Sequence, residues 1–169
     1  MNRIAKRTLL ALGPALVGLF LATGGASAQT KSLKQQIEGT WTLEKAFDTS
    51  SDGKDNDTWG PGVAGSLTLD PWGHFSFFLV SANRDKSGTG GPRVPVGQMV
   101  AHYGTYTIDE GAKKIVYHYA NSSFPQWDGV ERTASIQKLT GTELSLETSA
   151  VPDPKLGTIV PHQVFKRAN

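Results

Sequence analysis

The sequence of 169 residues contains no cysteine. A disulfide framework, a thiolate nucleophile, an iron–sulfur cluster and a thiolate zinc site are therefore excluded. Helical periodicity is almost absent, and there are no heptads and no repeats with a period of about 20 to 50 residues, which argues against coiled coils and repeat arrays. The chain must therefore be stabilised by an ordinary apolar core built from other elements.

Charge of one sign is not in clear excess. The chain carries 17 lysine and arginine residues against 15 acidic residues. Three of the basic residues, Arg3, Lys6 and Arg7, lie within the first 28 residues, which contain no acidic residue. The other 141 residues therefore have a net charge near −1. Because the capture of phosphates needs a clustered positive excess, we expect no nucleic-acid partner.

The first 28 residues are typical of a secretory signal peptide. A basic segment precedes a mostly apolar run at residues 8–21, and Ala26-Ser27-Ala28 forms an A-x-A peptidase site. The apolar run is interrupted by glycine and proline and is shorter than the roughly 20 residues that a membrane span needs. We therefore expect cleavage after Ala28, export to the periplasm or the medium, and no stable membrane anchor.

Short β-type runs between turn clusters dominate the predicted mature domain, residues 29–169. The runs are rich in valine, isoleucine, threonine, tyrosine and phenylalanine, and glycine, proline and aspartate separate them. They predict eight strands, at residues 39–48, 63–70, 73–81, 98–108, 113–121, 129–138, 143–149 and 157–166.

The short links between these strands favour antiparallel neighbours, because parallel pairing needs crossovers of about a dozen residues. The predicted fold is all-β, an eight-stranded antiparallel up-and-down β-barrel with room for one small ligand. A two-sheet β-sandwich is the alternative. Leu33 and Ile37, one helical turn apart, are placed to close one end of a barrel. The loops at residues 49–62 and 83–97 exceed hairpin length, which is typical of functional lids or disordered segments.

Several segments resemble one protein family. Gly39-Thr40-Trp41 resembles the G-x-W at the start of the first strand of lipocalins. Residues 65–76, 101–106 and 118–132 are similar to later segments of the bacterial and fungal lipocalin-like domain family. The resemblance covers most of residues 36–149 and implies a calycin-type barrel, but for most members it implies no established activity.

The resemblance also implies roles at the barrel end. Gly39 and Trp41 of the G-x-W become structural residues, with the indole buried in the core. In lipocalins an arginine near the last strand stacks on this tryptophan, and Arg132 is the candidate for that arginine, although it lies in the sixth predicted strand. The alternative is that Arg132 binds a ligand carboxylate.

Polar aromatic residues in the middle strands are candidates for ligand binding. His102 and Tyr106 share one face of the fourth predicted strand, and pairing with the fifth strand would bring Tyr106 near His118. Polar groups in an apolar cavity orient a ligand. The predicted ligand-binding residues are His118, His102, Tyr106, Trp127 and Arg132, with His118 as the first candidate. The alternative is that these side chains face solvent or bond within the barrel wall.

Motifs for metals, cofactors and catalysis are missing. The four histidines lack the H-x-H and H-E-x-x-H spacings that place two nitrogens on one ion. Gly60, Gly62 and Gly65 match G-x-G-x-x-G, but a polar loop precedes them and strand residues follow, which is not the context of a dinucleotide site. No G-x-S-x-G nucleophile motif and no G-x-x-x-x-G-K phosphate loop is found. The sequence therefore predicts no metal, no cofactor and no catalytic residue.

The sequence thus predicts an exported, lipocalin-like protein that binds a small, largely apolar molecule in a barrel cavity. One alternative is a barrel enzyme for isomerisation, cyclisation or hydration of a small hydrophobic substrate, with His118 or His102 as the acid–base group. A second alternative is an adhesion or scaffold module, which would have a filled barrel and an exposed apolar patch.

Overall fold

The computed structural model describes residues 30–84 and 98–169. The predicted signal peptide and nearly all of the loop at residues 83–97 lie outside this range. The described elements are one helix, one 3₁₀ turn and ten strands: α1 (Leu33–Ile37), β1 (Gly39–Ser50), β2 (Asp55–Asn56), β3 (Ala64–Leu69), β4 (His74–Val80), β5 (Met99–Asp109), β6 (Lys114–Ser122), the 3₁₀ turn (Pro125–Trp127), β7 (Glu131–Leu139), β8 (Glu143–Thr148), β9 (Val151–Asp153) and β10 (Gly157–Arg167).

Eight of the strands form a closed antiparallel barrel. Their order is β1-β3-β4-β5-β6-β7-β8-β10, and β10 pairs again with β1. Each of the eight predicted strands is present, with ends shifted by no more than two residues. The predicted barrel is confirmed and the β-sandwich is wrong. The short strands β2 and β9, which the sequence analysis did not predict, extend the sheet beside β1 and β10.

Helix α1 closes one end of the barrel. The side chain of Ser32 accepts the N–H of Gln35 at 3.1 Å, and the side chain of Gln35 accepts the N–H of Ser32, which completes a capping box. Glu110, in the turn after β5, accepts the N–H groups of Leu33 and Lys34. This anchoring places Ile37 inside the barrel end, where it is fully buried.

The closed end is sealed by Trp41 and Arg167. The Arg167 guanidinium lies 4.1 Å from the centre of the Trp41 ring and donates hydrogen bonds to the carbonyl oxygens of Glu38, Gln36 and Gly141. The indole N–H of Trp41 donates to a carbonyl of α1 at 2.7 Å. The stack joins the first and last long strands, because Trp41 and Arg167 are paired across β1 and β10.

The arginine that stacks on Trp41 is therefore Arg167, and the prediction of Arg132 for this position is wrong. Arg132 lies on β7, which does not pair with β1, and its guanidinium contacts Trp127 instead. Gly39 has a φ of 123°, a region that favours glycine. A Cβ atom at Gly39 would lie 3.0 Å from the Arg167 guanidinium, so glycine also leaves room for the stack.

Candidate functional site

The barrel is filled at the closed end and hollow beyond it. Side chains at the closed end are fully buried: Ile37, Trp41, Leu69, Ile115 and Leu144. The remaining interior is a cavity of about 350 Å³. This volume lies within the range of roughly 300–1,000 Å³ that is usual for small-molecule sites. At the end that carries β2 and β9, the lining includes exposed side chains such as Gln98, Gln126 and Pro154.

One side of the cavity is an aromatic wall, formed by Phe77, His102, Tyr119, Phe124 and Trp127. The His102 ring stacks on Tyr119, with 4.5 Å between ring centres and 14° between planes. It also lies 5.3 Å from Trp127 and 5.9 Å from Phe77. Trp127 in turn lies 5.0 Å from Phe124. The wall offers several π faces to a flat ligand.

Local structure fixes the position of the two central rings. His102 is on the inner face of β5, and its Nδ1 lies 2.9 Å from the hydroxyl of Ser122. The same hydroxyl accepts the N–H of Phe124, and Asp128 accepts the N–H of Ser122, which holds the start and end of the 3₁₀ turn. Trp127 is the last residue of this turn and is directed onto His102.

Burial controls the charge state of the aromatic wall. It lowers the pKa of His102 to about 4, and the positive charge of Arg132 acts in the same direction. His102 is therefore neutral near pH 7. Burial raises the pKa of Tyr119 to about 12, against an opposite effect of Arg132, and raises the pKa of Tyr117 well above its ordinary value. Both phenols remain hydrogen-bond donors.

Arg132 contributes a fixed positive charge to the cavity lining. Its guanidinium lies 5.0 Å from the centre of the Trp127 ring. The same group donates to the carbonyl oxygen of Ser149 and, at 3.5 Å, to that of Ala150. These contacts hold Arg132 against the wall, where the charge can act on a ligand but is already partly satisfied by protein carbonyls.

Polar side chains lie across the cavity, on β1 and β10. Asp48 and Gln163 both line the cavity and are 4% and 8% exposed. Thr58 donates its hydroxyl to one carboxylate oxygen of Asp48. Burial raises the pKa of Asp48, the hydrogen bond from Thr58 opposes this, and the negative charge of Asp153 adds to it. Neither Asp48 nor Gln163 was predicted from the sequence as a ligand-binding residue.

Three of the five predicted ligand-binding residues, His102, Trp127 and Arg132, come together at the cavity. Tyr106 faces inward but lies at the closed end, where it is 3% exposed and donates its hydroxyl to the Asp70 carbonyl at 2.8 Å. It is absent from the cavity lining. Burial raises its pKa to about 12.

His118, the first candidate, lies on the outer face of the barrel. Its side chain is 64% exposed, and its Nδ1 lies 3.7 Å from a carboxylate oxygen of Glu131. The register of β5 and β6 explains this position, because Tyr106 pairs with Tyr117 and Thr105 pairs with His118. The expected approach of Tyr106 to His118 is therefore wrong, and Tyr117 occupies the inward position instead.

Within residues 30–84 and 98–169, no group of three histidine, aspartate or glutamate side chains is close enough to hold a metal ion. No helix in these ranges has both the length and the apolar character that a membrane crossing requires.

A closed eight-stranded antiparallel barrel, sealed by a tryptophan–arginine stack and hollow at the other end, is the architecture of a calycin-type barrel. Residues 38–156 match the model of the lipocalin-like domain family, so the chain belongs to that family. None of the curated proteins compared with the chain matches it.

Several solved structures are similar to the chain, and two of them illustrate the range. One is bovine odorant-binding protein in complex with a selenium-containing odorant, at 17% identity and a TM-score of 0.42, covering 82% of this chain and 74% of that one. The other is a redesigned β-barrel, at 12% identity and a TM-score of 0.40, covering 83% of this chain and 98% of that one.

Proposed function

We propose that the protein is an exported binding protein that holds a small, largely apolar molecule in its barrel cavity. The observation that carries the proposal is a hollow of about 350 Å³, lined on one side by the aromatic wall and sealed at its far end. A flat ligand that buries about 200 Å² of apolar surface would gain about 5 kcal/mol from burial, before the entropic costs of binding.

Occupancy of the cavity can be tested with N-phenylnaphthylamine, an apolar dye whose fluorescence rises in apolar surroundings. Val100 lines the cavity, so Val100→Trp places a bulky ring inside it. Val116, on β6, is partly exposed and absent from the lining, so Val116→Trp makes the same change outside. We expect saturable binding to the wild type, at least about tenfold weaker binding to Val100→Trp, which corresponds to about 1.4 kcal/mol, and no change for Val116→Trp.

Two results would contradict this part of the proposal. The first is a wild-type protein that does not bind the dye. The second is a dye affinity that Val100→Trp and Val116→Trp alter equally. Native mass spectrometry of the protein isolated from its host provides an independent test, since a bound natural ligand adds a discrete mass that denaturation removes.

Export is supported by the basic segment, the apolar run and the A-x-A site of residues 1–28. The test is fractionation of the native host followed by mass measurement of the protein. We expect a chain that begins at Gln29, in the periplasm or the medium. A full-length chain that stays with the cytoplasmic fraction would contradict export without affecting the cavity.

Binding is favoured over the two alternatives by particular observations. His102 faces the cavity, but its pKa of about 4 leaves it neutral near pH 7, which suits a hydrogen-bonding partner better than an acid at that pH. The scaffold alternative expects a filled barrel, whereas this barrel contains a cavity.

A further inference from the structure

We propose that the cavity is specific for small arylalkylamines, in which a basic amine is joined to an aromatic ring through an alkyl side chain. The ring of the ligand lies on the aromatic wall, and its ammonium group is bound across the cavity by Asp48 and Gln163, which together form the amine subsite. This inference rests on the proposed binding function and adds to it the chemical class of the ligand.

Asp48 supplies a carboxylate that has no ion-pair partner among residues 30–84 and 98–169. Its side chain faces the barrel interior and is only 4% exposed. Thr58 donates to one carboxylate oxygen, while the other oxygen makes no hydrogen bond and no ion pair within the described residues. A buried carboxylate with one neutral donor is costly for the protein. A ligand ammonium group would offset that cost.

Gln163 supplies a second polar group at the same place. It is 8% exposed and lines the cavity, and in the described part of the chain its amide makes no hydrogen bond. The pairs Asp48–Pro161 and Ala46–Gln163 place Asp48 and Gln163 diagonally on adjacent strands and on the same inner face. Such diagonal neighbours lie about 7 to 8 Å apart, so one ammonium group can reach both side chains.

The strand order places the amine subsite opposite the aromatic wall. β1 and β10 are neighbours, whereas β5 lies three strands from β1 by the shorter way around the barrel and β6 lies four strands from it in both directions. A ring stacked on Trp127 or Tyr119 can therefore extend a side chain across the hollow towards Asp48. Arg132 lines the same cavity from β7, and its guanidinium is already bonded to the carbonyls of Ser149 and Ala150.

The local charge favours a cation over an anion at this end. Asp153 also lines the cavity and acts to raise the pKa of Asp48, while His162, which does not line the cavity, acts in the opposite direction. Inside the cavity, two carboxyl groups therefore act on the same region. A charge-assisted hydrogen bond is about twice as strong as a neutral one. An amine should therefore bind more tightly than a neutral molecule of the same shape.

The test compares three indoles that differ at the end of the side chain: tryptamine carries an ammonium, tryptophol a hydroxyl and indoleacetate a carboxylate. Isothermal titration calorimetry on the wild-type protein should show tryptamine binding about tenfold to a hundredfold more tightly than tryptophol, as expected for a hydrogen bond to a charged group. Indoleacetate should bind most weakly.

Two variants and one control test which residues cause the preference for tryptamine over tryptophol. Asp48→Asn keeps the shape and a hydrogen-bond acceptor for Thr58 but removes the charge, and it should bind tryptamine and tryptophol equally. Gln163→Leu should weaken tryptamine binding several-fold without changing any charge. Asp55→Asn is the matched control, because Asp55 lies near Asp48 on β2 but outside the cavity lining, and it should keep the wild-type preference.

Several outcomes would overturn the amine subsite. These are equal wild-type affinities for the three indoles, a preference that survives in Asp48→Asn, or tightest binding of indoleacetate, which would assign the polar end of the ligand to Arg132. If Asp48→Asn does not fold, the wild-type ranking and Gln163→Leu decide. If no indole binds but N-phenylnaphthylamine does, only the amine subsite is wrong, whereas failure of all four ligands removes the binding function as well.

Discussion

Acid should destabilise this protein through His102. The side chain is 6% exposed, and its pKa falls from 6.5 to about 4 on folding because burial disfavours the charged ring. Between these two pH values the unfolded chain binds a proton that the folded chain does not. The free energy of unfolding is therefore highest above pH 6.5 and falls as the pH is lowered through this window.

The magnitude follows from the shift of the pKa. One pKa unit corresponds to about 1.4 kcal/mol, so the folded protein should lose about 3 kcal/mol between pH 7 and pH 4 through this one side chain. His102→Phe keeps an aromatic ring in the stack with Tyr119 but cannot be protonated. At pH 7 it should cost about 1 kcal/mol, because the hydrogen bond with Ser122 is lost.

The assay is urea unfolding, followed by tryptophan fluorescence, at several pH values between 7 and 4. The quantity to compare is the change in the free energy of unfolding across this range, since the carboxyl groups contribute equally to both proteins. His102→Phe should lose about 3 kcal/mol less than the wild type. His118→Gln, which removes an exposed histidine from the next strand, should follow the wild type. Parallel profiles for the wild type and His102→Phe would refute the buried neutral histidine.

Three further outcomes are expected. Arg167→Ala should lower the free energy of unfolding by about 2 to 4 kcal/mol in urea titrations, because it removes the stack on Trp41 and the hydrogen bonds to three carbonyls, and a loss below about 1 kcal/mol would contradict the seal. Gly104→Ala should cost about 3 kcal/mol or more, since its Cβ would overlap the carbonyl oxygen of His118, and a wild-type melting temperature would be inconsistent with this register. Asp48, whose titratable neighbours are Asp153 and His162, has a raised pKa, so calorimetry at decreasing pH should show the affinity for tryptamine falling as Asp48 becomes protonated. The affinity for tryptophol should stay constant at pH values above the pKa of His102.

The barrel could be predicted because its strands combine β-branched and aromatic residues with clear turn signals. The short strands β2 and β9 contain two and three residues, and segments of that length carry no periodicity. They form because β1 and β10 continue past the barrel wall and leave edges to be paired.

The inward side of a strand was harder to predict than the strand itself. On β6, Tyr117 and Tyr119 lie on one face and His118 lies on the other, so that each face carries an aromatic ring. Alternation separates the two faces but does not identify the buried one. The pairing with β5 and β7 decides it, and this pairing places the tyrosines inside.

Asp48 could not be predicted because β1 contains an irregularity. The register with β10 shifts between Leu43 and Lys45, so that Ala46 and Asp48 follow Leu43 on the inner face. Regular alternation from Leu43 would have placed Phe47 inside. Phe47 instead stacks on His162 on the outer surface, with 4.7 Å between ring centres. The bulge thus replaces an apolar lining residue by a carboxylate.

The pairing of β1 with β10 also predicts that closure of the barrel comes late in folding. These two strands lie more than a hundred residues apart in sequence, yet they close the barrel and carry the Trp41–Arg167 stack. Loop-closure entropy makes so distant a pairing slow. Strands β3 to β8 can form hairpins while the barrel is still open, and the barrel closes only after β10 has been synthesised. A nascent chain would therefore remain unclosed for longer than one built from local contacts, which fits the proposed export, in which the chain crosses the membrane before it folds.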